Sequence, residues 1–251
     1  KKISIKSTIF ELWETITVSR DYLILFLAMI ITSIASGIAT NLTLFFYSYF
    51  WEFTPLNILT VGLALFLTPL IGLKFSPLLA ATLGKRKTII YLFALAFIAE
   101  NIIILMRVLN ILPGNDSVFI LPLVLIFHCI AISAQIISYT NLASMVFDTV
   151  EEVEKLTGRR MEGTLLAARS FAAKCMSGAG AFLAGLILSY SAWPKGAVAG
   201  EVESSILNSV GLSAISISAI LWLSAIIVFS KVRMTRASHE DNLGELNYSN
   251  D

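Results

Sequence analysis

Six long apolar runs dominate the chain, and short polar or charged segments separate them. A helix needs about 20 apolar residues to cross a hydrocarbon core about 30 Å thick, and each run reaches that length. The pattern therefore predicts six transmembrane helices, which we call spans 1 to 6, at about 22–47, 56–83, 88–108, 118–145, 162–190 and 205–229.

The two ends of the chain have a different pattern. Within residues 1–20, isoleucine and leucine recur at spacings of four and three, which predicts an amphipathic helix on the membrane surface or a polar lead-in to span 1. Residues 231–251 are polar and are expected to form a disordered cytoplasmic tail. The predicted divisions are thus a cytoplasmic lead-in at 1–20, a six-helix bundle at 21–230 and a tail at 231–251.

Composition and charge agree with a membrane protein. Hydrophobic residues make up 57% of the chain and charged residues 14%, and the mean hydropathy is +0.81, whereas soluble domains are about 45–50% apolar and 25% charged. Thirteen of the 18 Lys and Arg residues lie at 1–20, 85–87, 155–160 and 231–236, and two lie in the opposite set of connections. Because cytoplasmic connections are enriched in Lys and Arg, this predicts a multi-pass protein of the cell (inner) membrane with both termini in the cytoplasm.

Spans 2 and 5 are the most interrupted runs. Span 2 contains two prolines, and span 5 is rich in small residues, with Ser177, Ala181 and Gly185 on a face suited to close helix contact. If the six helices are two sets of three, spans 2 and 5 occupy matching positions. Interrupted helices at matching positions indicate the central pathway of a transporter.

Lys174 is the most informative single residue. If Glu162 begins span 5, Lys174 lies about 18 Å along the helix axis, beyond the midpoint of the hydrocarbon core. An ammonium group there costs about 2.5–3.5 kcal/mol on insertion scales unless it meets water or a partner. We therefore predict that Lys174 faces water and solute within a helical bundle; the alternative is a structural ion pair with an acid on a neighbouring helix.

Four more polar residues are predicted to line a solute and cation pathway, namely Glu100 in span 3 and Gln135, Tyr139 and Asn141 in span 4. An acid at membrane depth is functional by default, although the third helix of a three-helix unit tends to be peripheral. Tyr139 is alternatively an interface anchor. His128 is expected to be a buried histidine rather than a ligand.

The segment at 148–162 is acidic at its start and basic near its end. We predict a cytoplasmic gate formed by Asp148, Arg159, Arg160, Glu162 and Arg169, in which the arginine pair bridges to acidic residues. The long side chain of Arg169 is expected to reach either lipid headgroups or Asp148. The alternative is an ordinary solvated charged face.

Other classes of function have no support in the sequence. It contains no Gly-x-Ser-x-Gly or His-Glu-x-x-His motif of the kind that hydrolases and metalloproteases use. Cys129 and Cys175 lie within apolar runs, and no Cys/His cluster offers a metal site. We therefore expect no cofactor, no structural or catalytic metal site and no bound nucleic acid.

The stretch SMVFDTVEEVEKLTGRRMEG, followed by ARSFAAKCMSGAGAFLAG, resembles the region between the tenth and eleventh helices of the glycoside-pentoside-hexuronide:cation symporters. These symporters are the melibiose-permease-like branch of the major facilitator superfamily. Their pattern is an acidic start, a Thr-Gly-x-Arg-x-Glu-Gly turn and a helix with a mid-membrane lysine. The basic turn at 84–87 resembles the turn after their eighth helix.

This resemblance implies an all-α fold in which the six spans are the C-terminal bundle of a twelve-helix transporter, built from two three-helix units. It implies that Lys174 lies near the central cation and sugar site and that Tyr139 lines the sugar pocket. It also implies that most of the site for the coupling ion, Na+ or H+, belongs to an N-terminal half that precedes residue 1.

The sequence thus predicts part of a secondary active transporter that moves a sugar-like or glycoside-like solute with a monovalent cation by alternating access. The first alternative is a receptor or scaffold of the same fold that does not transport, and the second is a membrane-embedded enzyme. If the six helices were instead a complete protein, they would have to assemble as a homodimer.

Overall fold

The computed structural model describes Trp13, residues 16–159 and residues 161–233. Six helical segments in this part are long and apolar enough to cross a membrane: Arg20–Phe50, Pro55–Leu83, Lys85–Val108, Ile120–Thr157, Glu162–Tyr190 and Ser204–Phe229. No strand occurs among the described residues. The prediction of six spans and an all-α fold is confirmed, whereas the lead-in and the tail lie mostly outside the described residues.

Local sequence explains how the first two spans begin and break. Span 1 starts after Ser19, whose hydroxyl accepts a hydrogen bond from the backbone N–H of Tyr22 at 3.0 Å. It is α-helical over Arg20–Phe45 and ends in a π-helical turn over Phe46–Phe50. Span 2 consists of two α-helices, Pro55–Leu65 and Thr68–Leu83, so its predicted interruption is present. The predicted interruption of span 5 was wrong, because Glu162–Tyr190 is one unbroken helix.

Span 4 is longer than the sequence predicted. Its helix runs from Ile120 to Thr157, a length of 38 residues or about 57 Å, nearly twice the thickness of a hydrocarbon core. It stops at Gly158, which has a left-handed φ of 66° that suits a helix C-terminus. The predicted end near 145 was too early, because the acidic residues continue the helix outside the apolar layer instead of ending it.

The packing of the spans has an internal two-fold pattern. Span 5 packs chiefly on span 1 and span 2 chiefly on span 4, while spans 1 and 6, 3 and 4, and 3 and 6 pack on each other. If span 1 is exchanged with 4, span 2 with 5 and span 3 with 6, these pairings stay the same. The two predicted three-helix units are therefore present, and the middle helix of each unit packs on the first helix of the other.

Spans 2 and 5 lie at the two ends of this arrangement. In their most apolar stretches 17% and 22% of the residues are buried, compared with 28% to 56% in the other four spans. The predicted close contact through Ser177, Ala181 and Gly185 is not made, because all three are exposed. Span 5 instead approaches span 1 through its other face, where Gly180 lies against Gly37.

Candidate functional site

Span 5 has two unlike faces. The face that packs against span 1 is apolar, and its buried residues are Leu165, Ala168, Ala172, Gly180, Ala184 and Ile187. The opposite face is centred on Lys174, and the neighbouring helical positions carry small or polar side chains except for Phe171, which is 60% exposed. Its exposed residues are Gly163, Ala167, Ser170, Lys174, Ser177, Gly178, Ala181 and Gly185. We call this the Lys174 face.

Lys174 lies at mid-depth on this face. Span 5 runs from Glu162 to Tyr190, so Lys174 is two residues, or about 3 Å, from the helix midpoint. The side chain is exposed, and its ammonium group has no ion-pair partner among the described residues. The sequence placed Lys174 inside a helical bundle, but it lies on the outer surface of these six helices, because span 1 covers the other face of span 5.

Glu100 and Gln135 come together between spans 3 and 4. The Gln135 amide nitrogen donates a hydrogen bond to a Glu100 carboxylate oxygen at a long distance of 3.4 Å. Gln135 is 8% exposed, so its amide lies in the interior of the bundle. Two of the predicted pathway residues are thus neighbours. They lie on spans 3 and 4, whereas Lys174 lies on span 5.

Tyr139 joins span 4 to span 1. Its hydroxyl lies 2.8 Å from the Ser36 hydroxyl oxygen and donates to the Thr32 carbonyl oxygen at 3.1 Å. Its ring packs edge to face on Phe93, with the ring centres 5.3 Å apart. Because the hydroxyl is already bonded within the bundle, we expect a solute to contact Tyr139 through the ring rather than through the hydroxyl.

Asn141 joins span 4 to span 2. It is 3% exposed, and its amide nitrogen donates to the Ser76 hydroxyl at 3.0 Å and to the Ile137 carbonyl at 2.9 Å. Both amide hydrogens are therefore satisfied inside the bundle, which is the arrangement expected of a structural cross-link between helices.

A cavity of about 60 Å³ lies between spans 1, 3, 4 and 6. Its polar lining consists of Thr43, Tyr47, Glu100, Asn101, His128 and Ser218. We call it the Glu100 cavity. Of these residues, sequence reasoning singled out only Glu100 and His128; the four-residue spacing of Thr43 and Tyr47 in span 1 was the signal that could have added a third helix to the site.

Charged residues of several connections lie together at one end of the bundle. The Lys85 ammonium binds both oxygens of Asp148, at 2.6 and 2.9 Å, and the backbone N–H of Arg233 donates to both oxygens of Asp21 at 3.1 Å. Arg86 donates to the carbonyl of Ser230. Connections rich in Lys and Arg are therefore gathered at the same end, as the topology prediction requires.

At this end Asp148 forms an ion pair with Lys85 of the basic turn, a contact that the sequence did not predict. Arg169 is exposed. Arg159 is also exposed, and Arg160 lies outside the described residues. Glu162 is the first residue of span 5, where its carboxylate interacts favourably with the positive end of the helix dipole.

Comparison with known proteins agrees with this architecture. The model of the family described as MFS/sugar transport protein matches residues 4–236. The chain belongs to this family. The chain is thus a multi-pass membrane protein of a transporter family, which supports transport rather than catalysis.

A similar protein is the uncharacterized symporter YnaJ of Bacillus subtilis (strain 168), which is 28% identical to this chain over 178 residues. The match covers 71% of this chain and 36% of that protein, so the chain corresponds to little more than a third of the length of this relative. No solved structure matches the chain.

Proposed function

We propose that the protein is a symporter that moves a sugar-like or glycoside-like solute together with Na+ or H+, as in the melibiose-permease-like branch of the superfamily. The chain would supply the C-terminal six-helix bundle of this symporter. The observation that carries the proposal is the Lys174 face, an exposed helix surface whose side chains at mid-membrane depth are small or polar apart from Phe171.

Such a surface does not suit lipid. A lipid-facing position at mid-depth favours large apolar side chains, and a lysine there costs about 2.5–3.5 kcal/mol on insertion scales. Small residues instead allow another helical surface to approach closely. The proposed occupant is a second six-helix bundle that precedes residue 1, with a water-filled pathway between it and the Lys174 face.

The low burial of spans 2 and 5 supports the same arrangement. These helices occupy matching positions in the two three-helix units, and broken helices at matching positions border the solute site in transporters built from repeats. The break of span 2 near residues 66–67 fits this role. Span 5 is one unbroken helix over Glu162–Tyr190 and would contribute its small-residue face instead. In alternating access, the two bundles would rock about the solute that lies between them.

The charge on Lys174 would then act on the coupling step. A fixed ammonium group near the solute site can hold the site electrically neutral when no cation is bound, and it competes with the cation for the same carboxylates. The gathering of basic connections at one end of the bundle supports cytoplasmic termini in an inner membrane, since such connections stay on the cytoplasmic side.

Uptake by proteoliposomes tests the proposal. The protein is reconstituted, and uptake of radiolabelled sugars and glycosides is measured with an inward Na+ gradient, an inward H+ gradient or none. We expect gradient-driven uptake of at least one solute, its loss or uncoupling in Lys174→Gln, and normal uptake in the control Lys195→Gln, which changes an exposed loop lysine.

Two results would contradict the proposal. Unchanged cation-driven uptake in Lys174→Gln would remove the role of the Lys174 face. Solute binding without flux in the unmodified protein would instead identify a receptor of the same fold.

A further inference from the structure

The Glu100 cavity has features that solute transport along the Lys174 face does not explain. Its lining comes from spans 1, 3, 4 and 6, and neither span 2 nor span 5 contributes a residue. It is therefore bordered by the four inner helices and lies away from the Lys174 face. A volume of about 60 Å³ holds several water molecules, since one water needs about 10–15 Å³ on this measure.

The Glu100 carboxylate has no counter-charge within the described residues. The ion pairs found there are those of Asp21 and Asp148. The nearest cation on the same helix, Arg107, donates to the Pro113 carbonyl at 2.5 Å and to the Asn115 side-chain oxygen at 2.6 Å. An unpaired carboxylate inside an apolar bundle is strongly unfavourable, so Glu100 needs a positive charge from elsewhere.

Glu100 lies too deep for that charge to be supplied at the end of its own helix. It is eight residues, or about 12 Å, before the end of span 3 at Val108, and about 22 Å after its start at Lys85. Its one side-chain hydrogen bond, from Gln135, is 3.4 Å long. This neutral amide does not offset a full negative charge.

Tyr47 adds an independent indication of an occupant. It is 6% exposed, it lines the cavity, and its hydroxyl has no hydrogen-bond partner within the described part of the chain. Its ring lies edge to face on His128, with the ring centres 5.9 Å apart. Buried hydroxyl groups nearly always have a partner, so an unbonded one on a residue that lines the Glu100 cavity favours a bound water or ion there.

We propose that the Glu100 cavity binds a monovalent cation, H+ or Na+, with the Glu100 carboxylate as its counter-charge. Among the described residues no three His, Cys, Asp or Glu side chains come together, so the cavity offers one full negative charge rather than the several that a divalent ion would require. The oxygen atoms of Tyr47, Asn101 and Ser218 would complete the surroundings, because hard cations prefer oxygen ligands.

Other ionisable groups near the cavity set the background for any response to pH. Those that face this region from the neighbouring helices are Tyr47, His128, Cys129 and Tyr139. Span 6, which packs on span 3, has no ionisable side chain over Ser204–Phe229. Glu100 is thus the only acid of the cavity lining.

Cation binding at this site does not require the proposed transport, but a role in coupling rests on it. If the protein is a symporter, this half of it would hold a cation of its own, in addition to whatever an N-terminal half binds. Occupancy of the cavity would change the charge enclosed by the four inner helices, and thereby the balance between the two orientations of the bundle.

The test uses the purified protein in detergent, without solute and without a gradient. One arm measures the thermal unfolding midpoint in NaCl and in choline chloride at constant ionic strength. The other arm follows the infrared band of a protonated carboxyl group as the pH is varied. The variants are Glu100→Gln and, as a matched control, Glu201→Gln, which changes an exposed loop acid.

We expect one of two signatures in the unmodified protein and in Glu201→Gln. A stabilisation specific to Na+ that is lost in Glu100→Gln would identify Na+. A protonated carboxyl band near neutral pH that is lost in Glu100→Gln would identify H+. The absence of both signatures would overturn the proposal, because Glu100 would then be ionised with no cation bound.

A second variant keeps the test decisive if Glu100→Gln does not fold. Tyr47→Phe removes a hydroxyl that has no partner among the described residues, so it should fold normally. We expect it to weaken the Na+ response or to shift the pH at which the carboxyl band disappears. An unchanged response would place the cation outside the cavity and overturn the proposal. Because no uptake is measured, failure here leaves the transport proposal standing, and failure of uptake leaves this proposal testable.

Discussion

The backbone of Gly180 in span 5 lies directly against the backbone of Gly37 in span 1. A Cβ atom added to Gly180 would come within 2.6 Å of the Gly37 Cα and carbonyl carbon. A Cβ atom added to Gly37 would collide with the Met176 carbonyl group. Because the obstructing atoms belong to the backbone, no side-chain rotation relieves these overlaps, and the contact holds span 5 with its Lys174 face turned outward.

Substitution of Gly180 tests this contact. We expect Gly180→Ala to lower the free energy of unfolding by about 1–3 kcal/mol, which is the usual cost of overpacking. Gly178→Ala is the matched control, because a Cβ atom there meets nothing within 4 Å and alanine favours a helix more than glycine does. Thermal unfolding in detergent measures both. Equal stability of the two variants would show that spans 1 and 5 do not pack through Gly180.

The Lys85–Asp148 ion pair should respond to charge reversal. The side chains are 34% and 15% exposed, and pairs of this kind contribute up to about 1 kcal/mol. We expect Asp148→Lys to lower the unfolding midpoint, because it places two ammonium groups together, and the swap Lys85→Asp with Asp148→Lys to restore most of the loss. Lys87→Asp, at an exposed position of the same turn, should change the midpoint less. A double variant no more stable than Asp148→Lys alone would contradict the pairing.

The Tyr139 hydroxyl should matter for stability rather than for solute affinity. Tyr139→Phe removes the bonds to Ser36 and Thr32, and we expect a loss of about 0.5–1.5 kcal/mol with little change in KM for uptake. Tyr139→Ala removes the ring as well and should raise KM if the ring contacts the solute. Tyr91→Phe, which alters an exposed tyrosine, is the control. A raised KM in Tyr139→Phe with unchanged stability would mean that the hydroxyl binds the solute.

The spans themselves could be predicted because a bilayer constrains length and polarity so strongly. The start of span 5 at Glu162 and the end of span 6 at Phe229 are where the apolar pattern placed them. The end of span 4 was placed too early, because the polar residues around Glu151 form a helix in water as readily as apolar residues do in lipid.

The choice of packing face was harder to predict. Both faces of span 5 are rich in small residues, so the spacing of Ser177 and Ala181 looked as suitable for contact as Gly180 did. What decides between them is the matching glycine in span 1, some 140 positions earlier in the chain. The Glu100 cavity has the same origin, because Tyr47 and His128 meet Glu100 only after three distant segments have packed.

The central claim is that the Lys174 face borders water rather than lipid. Single-cysteine variants in membrane vesicles test it, in a protein whose Cys129 and Cys175 are replaced by alanine. One cysteine replaces Ser177, on this face. The other replaces Phe182, an exposed apolar residue about 140° around the helix from Ser177. A water-soluble maleimide reacts with thiolates, which form in water and not in lipid.

We predict that Ser177→Cys is labelled, and that Phe182→Cys is not. Labelling of Phe182→Cys alone, or protection of both cysteines, would contradict the account, because the face that bears Lys174 would then lie against lipid or in a dry helix contact.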